Sequence, residues 1–367
     1  MKIALVTDEF KVGGGLEHIY QIAKAMENIE FFIFAKGGET KGKFKDFKNV
    51  SLISSGYHPD LVLQYKPDII HIHHLKPLFS FYKFHHTSFY EIPIIFTAHG
   101  MHIHKYEFFK EQLFSKIKYH LRFNLEKYLF SKVSKVISVS KEDRDFIVEN
   151  YRIDSRKIEY ITNGIDFSTI DSTVSSKEEL RKKLNLPEGK YIFLTVARFD
   201  FQKGYDILLQ SIKTLQANYD CKDMLFVFVG DGKTLNESKK FAIENNLTDL
   251  VSFQGKKDNI YEFMKCADFF ILPSRWEGLP IVIIEAGACK LPVIASDTYG
   301  NREIIRHKQN GILFKNLNSS DLALKILNAV NNKSKFLEYS NKLYEEVRES
   351  YSIDKMIGKL NKLYYSF

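Results

Sequence analysis

Residues 1–26 read MKIALVTDEFKVGGGLEHIYQIAKAM. Ile3–Thr7 is apolar nearly throughout, as a strand must be when a parallel sheet is covered on both faces. Gly13, Gly14 and Gly15 follow, directly before a segment with Leu16, Ile19, Tyr20, Ala23 and Met26 on one face of a 3.6-residue period. Strand, glycine turn and amphipathic helix make the opening of a right-handed βαβ unit. Glycines at that turn allow close approach of backbone N–H groups to an anion at a helix start. The run has neither the Gly-Lys-Ser/Thr ending of a P-loop nor the spacing of GxGxxG. A flexible turn and a phosphate site therefore both remain open.

The same alternation continues outward. Strands are expected at Phe31–Ala35, Ser51–Ser54, Ile69–His73, Ile94–Ala98, Val136–Val139 and Ile158–Ile161. A polar stretch from Asp166 to Lys190 interrupts it and reads as an interdomain connection. A second series follows at Tyr191–Val196, Leu225–Val229, Val251–Phe253, Phe269–Leu272, Val293–Ala295 and Ile312–Phe314. The expected architecture is α/β, with two Rossmann-like doubly wound domains, 1–166 and 167–350, facing each other across a deep cleft. Ligands in such sheets bind at the carboxyl ends of the strands.

Composition narrows the function. The 367 residues carry a net charge of +8, spread as 24 basic against 20 acidic residues in 1–166 and 29 against 25 in the remainder. Neither half is basic enough for a nucleic-acid surface, and no zinc-finger or RNA-binding signature is present. Cys221, Cys266 and Cys289 are too scattered for a disulfide framework and read as free thiols. The N-terminal apolar run is too short for a signal-peptide core, and no run nears the roughly 20 residues of a membrane span, so a cytoplasmic location is expected. Residues 105–135 hold eight Lys/Arg and three Glu interleaved with Tyr, Phe and Leu. That pattern suits a solvated helix face or a peripheral contact with an anionic membrane.

Two stretches of the second domain carry the chemistry. Ala197-Arg198-Phe199-Asp200-Phe201-Gln202-Lys203-Gly204 places two cations at the end of a strand. They suit a diphosphate, Arg as a fork and Lys as a point charge, although a plain surface pair fits as well. Pro273-Ser274-Arg275-Trp276-Glu277-Gly278-Leu279-Pro280 then runs into Ile281-Val282-Ile283-Ile284-Glu285-Ala286. Pro280 suits a first helical turn, so Glu277 should precede that helix and Glu285 lie inside it. Eight residues at 1.5 Å rise put the carboxylates roughly 10 Å apart, about the span from a ribose to a sugar across a diphosphate. The helix start would supply donors to the phosphate oxygens.

These two elements together resemble the retaining glycosyltransferases of family 4, with the GT-B fold and a Glu-x7-Glu motif. The resemblance covers nearly the whole chain. It includes Gly14-Gly15 with Glu17, Asp68-Ile69-Ile70-His71-Ile72-His73, Thr97-Ala98-His99-Gly100 and Asn163-Gly164-Ile165-Asp166. It continues through Val229-Gly230-Asp231-Gly232, Phe253-Gln254-Gly255 and Asn310-Gly311-Ile312-Leu313. It implies transfer of a hexosyl-type sugar, with retention, from a nucleotide-diphosphate sugar to a glycan or lipid-linked acceptor in bacterial cell-surface polysaccharide synthesis. A uridine diphosphate sugar is favoured over a guanosine one, and neither cofactor nor metal is implied. By resemblance, His99, Glu277, Arg198 and Lys203 are catalytic. Gly14, Gly15, Gly255, Lys256, Gly278, Leu279, Pro280, Ile281 and Glu285 join Arg198, Lys203 and Glu277 around the donor. Glu17, His73 and His74 lie on the acceptor side. The family's Gly-Gly-x-x-Glu pattern is here Gly300-Asn301-Arg302-Glu303, a departure that puts backbone contacts there in question.

Eleven of the twelve histidines fall in the first domain. His71 and His73 should share one strand face with His74 turned away, and no carboxylate completes a metal set, so metal binding is not expected. Ile353, Met356, Ile357, Leu360, Leu363 and Tyr364 recur at helical spacing. In the resembled fold this terminal helix, within 351–367, packs back on the first domain. A nucleotide-sugar epimerase of the same fold and a catalytically silent binding subunit are the alternative readings. The intact set of Arg198, Lys203, Glu277 and Glu285 argues against the second.

Overall fold

A computed structural model of the chain describes residues 1–10, 14–83, 91–101 and 113–367. It divides into two compact units, one of Met1–Gly164 with Ile353–Phe367 and one of Ile165–Ser352. Unit 1 is built on seven strands, β1 (Lys2–Val6), β2 (Glu30–Phe34), β3 (Val50–Ile53), β4 (Ile69–Ile72), β5 (Ile94–Ala98), β6 (Lys135–Ser138) and β7 (Ile158–Tyr160). All pair parallel in the order β3-β2-β1-β4-β5-β6-β7, with Ile3 opposite both Phe31 and Ile69. Alternate residues of the central strands feed different cores. Ala4, Val6, Ile70, Ile72 and Phe96 face one, with Leu129 and Phe130. Ile3, Leu5, Ile69 and Ile95 face the other, against Leu16, Ile19 and Ile22 of the helix Gly14–Ala25. Two-sided burial is why these strands read as unbroken apolar runs.

That second core is closed by the helix Ile353–Tyr364, whose Met356, Leu360, Leu363 and Tyr364 are buried in it. The chain thus returns to unit 1 after unit 2 is complete.

Unit 2 contains β8 (Tyr191–Val196), β9 (Met224–Val229), β10 (Val251–Gly255), β11 (Phe269–Leu272), β12 (Val293–Ser296) and β13 (Ile312–Phe314). The order β10-β9-β8-β11-β12-β13 is again wholly parallel. In both sheets the strand order reverses once, between β1 and β4 and between β8 and β11. A crevice opens at such a switch point because the flanking connections leave on opposite faces.

The structure corrects three details of the sequence reading. The helix after β1 begins at Gly14, two residues before Leu16, so Gly14 and Gly15 are its first turn. Pro280 is the N-cap of Ile281–Ala288 rather than a residue within it. The polar stretch Asp166 to Lys190 is not a connection but an integral part of unit 2. A capping box at Ser176 and Glu179 starts the helix Lys177–Lys183. Arg181 of that helix is buried, donating to Asp268 at 2.7 Å and to the carbonyls of Cys266, Glu188 and Lys190. Two cations of the stretch, Lys177 and Arg181, hold the buried Asp268 carboxylate.

Candidate active site

In unit 2 the loops after β8 and β11 interlock at the switch point. The short helical turn Phe201–Lys203 is capped by the Asp200 carboxylate. Gly204 then takes φ +69°, and a Cβ there would stand 2.1 Å from the Pro273 carbonyl oxygen. Only glycine lets the two loops approach so closely. Gln202 ties them by accepting from Arg275 N at 2.7 Å and donating to the Trp276 carbonyl at 2.9 Å. Arg275 adds a paired contact to Asp206 and lies 3.9 Å over the Phe201 ring.

This clamp brings Lys203 Nζ within 2.6 Å of Glu277 Oε1, which also accepts from Ser274 Oγ at 2.6 Å. The Glu277 side chain is 6% exposed and that of Lys203 16%. Among the described residues Glu277 Oε2 has only a long contact with Gln202, at 3.5 Å. Arg198 stands apart from Lys203, 61% exposed and 3.2 Å from Asp200. Both cations are thus paired, Arg198 at the surface with Asp200 and Lys203 under cover with Glu277.

Gly278, Leu279 and Pro280 lead into Ile281–Ala288, whose start has no side-chain cap. Of its first-turn donors the Ile283 N–H bonds back to the Pro280 carbonyl at 3.0 Å, so an anion would meet those of Ile281 and Val282. Glu285 lies on it and accepts from Tyr261 at 3.1 Å. Gly255 closes β10 at φ +68°, and Lys256 beside it is exposed. The departure at Gly300-Asn301 has a packing reason. A Cβ at Gly300 would come within 2.2 Å of the Gly278 carbonyl oxygen, and Asn301 is buried, donating to Ser296 O and Oγ. Tyr261, Ser274 and Gln202 were not singled out from sequence. Ser274 and Gln202 lie inside the quoted motifs, whereas nothing in the sequence pattern connects Tyr261 to Glu285.

In unit 1 the corresponding edge holds histidines. His99, at the end of β5, and His74, after β4, approach Gly15, where a Cβ would meet both rings at 3.4 Å. His74 Nδ1 is 2.9 Å from Thr7 Oγ1. His73, expected with His74 on the acceptor side, is only 2% exposed and turns inward, because it belongs to the strand face that packs on the helices. Its Nδ1 is 3.1 Å from His99 Nε2. Glu17 accepts from Gln21 at 2.9 Å and from Lys43 at 3.2 Å. Gly13, His102 and His104, with Lys105, Phe108, Phe109 and Lys110, lie outside the described residues. Among the described residues no His, Cys, Asp and Glu cluster could hold a metal ion. Nor is any helix of them long and apolar enough to cross a membrane.

Two parallel doubly wound sheets, each with its polar residues at the carboxyl edge of the switch point, define the GT-B class. The models for "Glycosyltransferase Family 4" and "Glycosyl transferases group 1" match residues 12–169 and 176–350 respectively. The chain belongs to the family 4 type of glycosyltransferases and is an enzyme. It is 28% identical over 371 residues to an uncharacterised glycosyltransferase of Methanocaldococcus jannaschii, covering 96% of this chain and 94% of the relative. A galactosyltransferase of Escherichia coli acting on α-D-GlcNAc-diphosphoundecaprenol is 28% identical over 232 residues, 63% of this chain and 60% of that one. Among solved structures, Anabaena HepE in complex with UDP-glucose superposes with a TM-score of 0.86 over 100% of both chains, at 19% identity.

Proposed function

We propose that the enzyme transfers a hexosyl group, with retention, from a uridine diphosphate sugar to a glycan or lipid-linked acceptor in cell-surface polysaccharide synthesis. The observation that carries the reading is the Lys203–Glu277–Ser274 cluster at the switch point of unit 2. In transfer the bond from the anomeric carbon to the diphosphate oxygen breaks, the acceptor oxygen bonds to that carbon, and the acceptor's hydroxyl proton passes to the departing diphosphate oxygen. Negative charge grows on the departing diphosphate. Lys203 has two further N–H donors beyond the one on Glu277, and with Arg198 and the start of Ile281–Ala288 it would neutralise that charge. No divalent ion is needed in this scheme. Glu277 would accept from hydroxyls of the donor sugar, Glu285 from the ribose, and the backbone at Gly255 and Lys256 would hold the base. Gly14 and Gly15 offer helix-start donors to a phosphate, while His99 meets the reacting sugar and His74 the acceptor. The complex of the structural neighbour HepE with UDP-glucose, and a Bacillus subtilis relative named as a putative teichuronic acid biosynthesis glycosyltransferase, support the donor and the pathway.

Thermal melts against a panel of nucleotide sugars test the donor, since a ligand of the folded state raises Tm. Product anomers read by NMR test retention, and transfer in excess EDTA tests metal independence. Failure of every uridine diphosphate sugar to shift Tm would overturn the donor assignment.

A peripheral membrane role fits the helix Leu113–Lys132 in modified form. Arg122 is drawn inward against Glu126 at 2.5 Å, and Lys135 pairs with Glu159 at 2.7 Å, so neither is a spare surface charge. Ile117 and Leu121 are instead exposed beside Lys116 and Lys118. We place this face on the anionic inner surface of the cell membrane. Vesicle co-sedimentation of wild type against a Lys116→Glu, Lys118→Glu, Leu121→Asp variant tests it; equal pelleting of the two would rule it out.

A further inference from the structure

Unit 1 holds a pocket of about 610 Å3 at the carboxyl edge of its sheet, within the size range of small-ligand sites. Three elements wall it: the end of β2 with Lys36, the loop after β3 with Ser54 and Ser55, and the helix Leu75–Lys83 with Lys76 and Ser80. The loop is turned by Gly56, whose φ of +119° favours glycine and whose N–H donates to the Ala35 carbonyl at 3.1 Å. Lys36 follows Ala35 directly, so the two serines stand on its side of the pocket.

This lining gives hydrogen bonds more readily than it takes them. Lys36 Nζ rests 4.9 Å over the buried Tyr57 ring and has no ion pair among the described residues. Its N–H groups that point away from the ring remain for another acceptor. The hydroxyls of Ser54, Ser55 and Ser80 bond no described residue, and each can donate. Asp8 does not line the pocket and is already engaged, accepting from Tyr57 OH at 2.8 Å and from Lys76 at 2.8 Å. Glu9 acts on Lys76 from nearby but does not line it either. Among the described lining residues there are thus two ammonium groups and no carboxylate. A negatively charged group rich in acceptors satisfies such a wall. The donors come from three elements, as suits the several oxygens of a tetrahedral phosphate, and lysine meets phosphate as a point charge. No arginine of the described lining offers the planar fork that matches a carboxylate.

We propose that this pocket binds a phosphoryl group of the acceptor, held by Lys36, Lys76 and the hydroxyls of Ser54, Ser55 and Ser80. Lys76 lies two residues past His74, and Asp8 is next to Thr7, whose Oγ1 is 2.9 Å from His74 Nδ1. The pocket therefore borders the histidine we place on the acceptor. That the phosphoryl group belongs to the acceptor rests on that reading; the phosphate site itself does not. The diphosphate of a lipid carrier and a phosphate on a glycan both supply this chemistry.

The test is calorimetric titration of the whole enzyme, with excess UDP added for the donor site of unit 2. The probes are glucose 1-phosphate, geranyl diphosphate, glucuronate and glucose. Both phosphates should bind at least about tenfold more tightly than glucuronate or glucose, the scale of one charge-assisted hydrogen bond. The tighter of the two names the source, geranyl diphosphate a lipid carrier and glucose 1-phosphate a glycan. Lys36→Met should weaken both about tenfold with Tm unchanged, because Lys36 is exposed. Lys213→Met, an exposed charge removed from unit 2, should leave both affinities as they are. Equal affinity in Lys36→Met and wild type, or glucuronate bound as tightly as the phosphates, would overturn the proposal. In transfer the phosphates should compete with the acceptor, raising its KM and sparing kcat; binding without competition would overturn the assignment to the acceptor. An enzyme that binds the phosphates but no uridine diphosphate sugar would instead overturn the donor reading, leaving the phosphate site standing.

Discussion

Strand β11 carries a buried acid–base pair at each end, and the two are built differently. At the amino end Asp268 is saturated. Its oxygens accept from Lys177 at 2.7 Å, Arg181 at 2.7 Å, Lys333 at 3.3 Å and the Ile192 N–H at 2.8 Å. Burial alone would raise its pKa, but these donors outweigh that and hold it below the usual carboxylate range. At the carboxyl end Glu277 concentrates its bonds on Oε1, and Oε2 is nearly idle. A saturated pair can only hold structure, whereas one with spare acceptor and donor capacity can still take a ligand. Burial and ion pairing are common to both pairs; incomplete satisfaction at the switch point is what distinguishes the one we propose as the donor site.

The comparison is broken most directly at Arg181. Arg181→Met leaves Asp268 buried without its guanidinium partner and should cost about 3–5 kcal/mol. The only tryptophan, Trp276, lies in unit 2, so urea unfolding followed by its fluorescence reads this unit. A loss under about 1 kcal/mol would show that the amino-end pair is dispensable.

Unit 1 sharpens the comparison, because its buried histidines His18, His71 and His73 are uncharged. An unfolded histidine titrates near 6.5 and folded His18 near 4, so the unfolded chain binds more protons below pH 6.5. Stability is full above that pH and lost as pH falls towards 4, by about 3 kcal/mol from His18 alone. Amide protection factors in β4 and β5, compared at pH 7.5 and 5, should fall. Constant protection would mean that the rings find proton acceptors in the fold.

At the carboxyl end the effect should appear in turnover. Glu277→Gln is expected to lower kcat by at least about a hundredfold. Its stability loss should stay below that of Arg181→Met, because Lys203 is exposed enough to turn towards water. Near-normal turnover would remove Glu277 from the donor site. The smallest effect belongs to Tyr261→Phe. It deletes one hydrogen bond aiming Glu285, worth about 1 kcal/mol, so donor KM should rise several-fold with kcat unchanged. A change in kcat instead would place Glu285 near the reacting bond rather than the ribose.

What the sequence determined by itself is the two sheets and the loops at the carboxyl ends of their strands. Apolar runs such as Ile3–Val6 and Phe269–Leu272 can only be strands covered on both faces, and their ends fell within a residue or two of expectation. The positions of Arg198, Lys203 and Glu277 just past strand ends, and of Glu285 in the helix that follows, were legible because the strand and helix patterns around them are local. What only the tertiary structure decided lies where partners are far apart in the chain. Arg181 meets Asp268 across 87 residues and His71 meets Tyr364 across 293. A polar stretch around a buried carboxylate has the composition of a linker, and an inward histidine has the same periodicity as an outward one. Local pattern records how often a residue faces a core, but not which distant atom will satisfy it there.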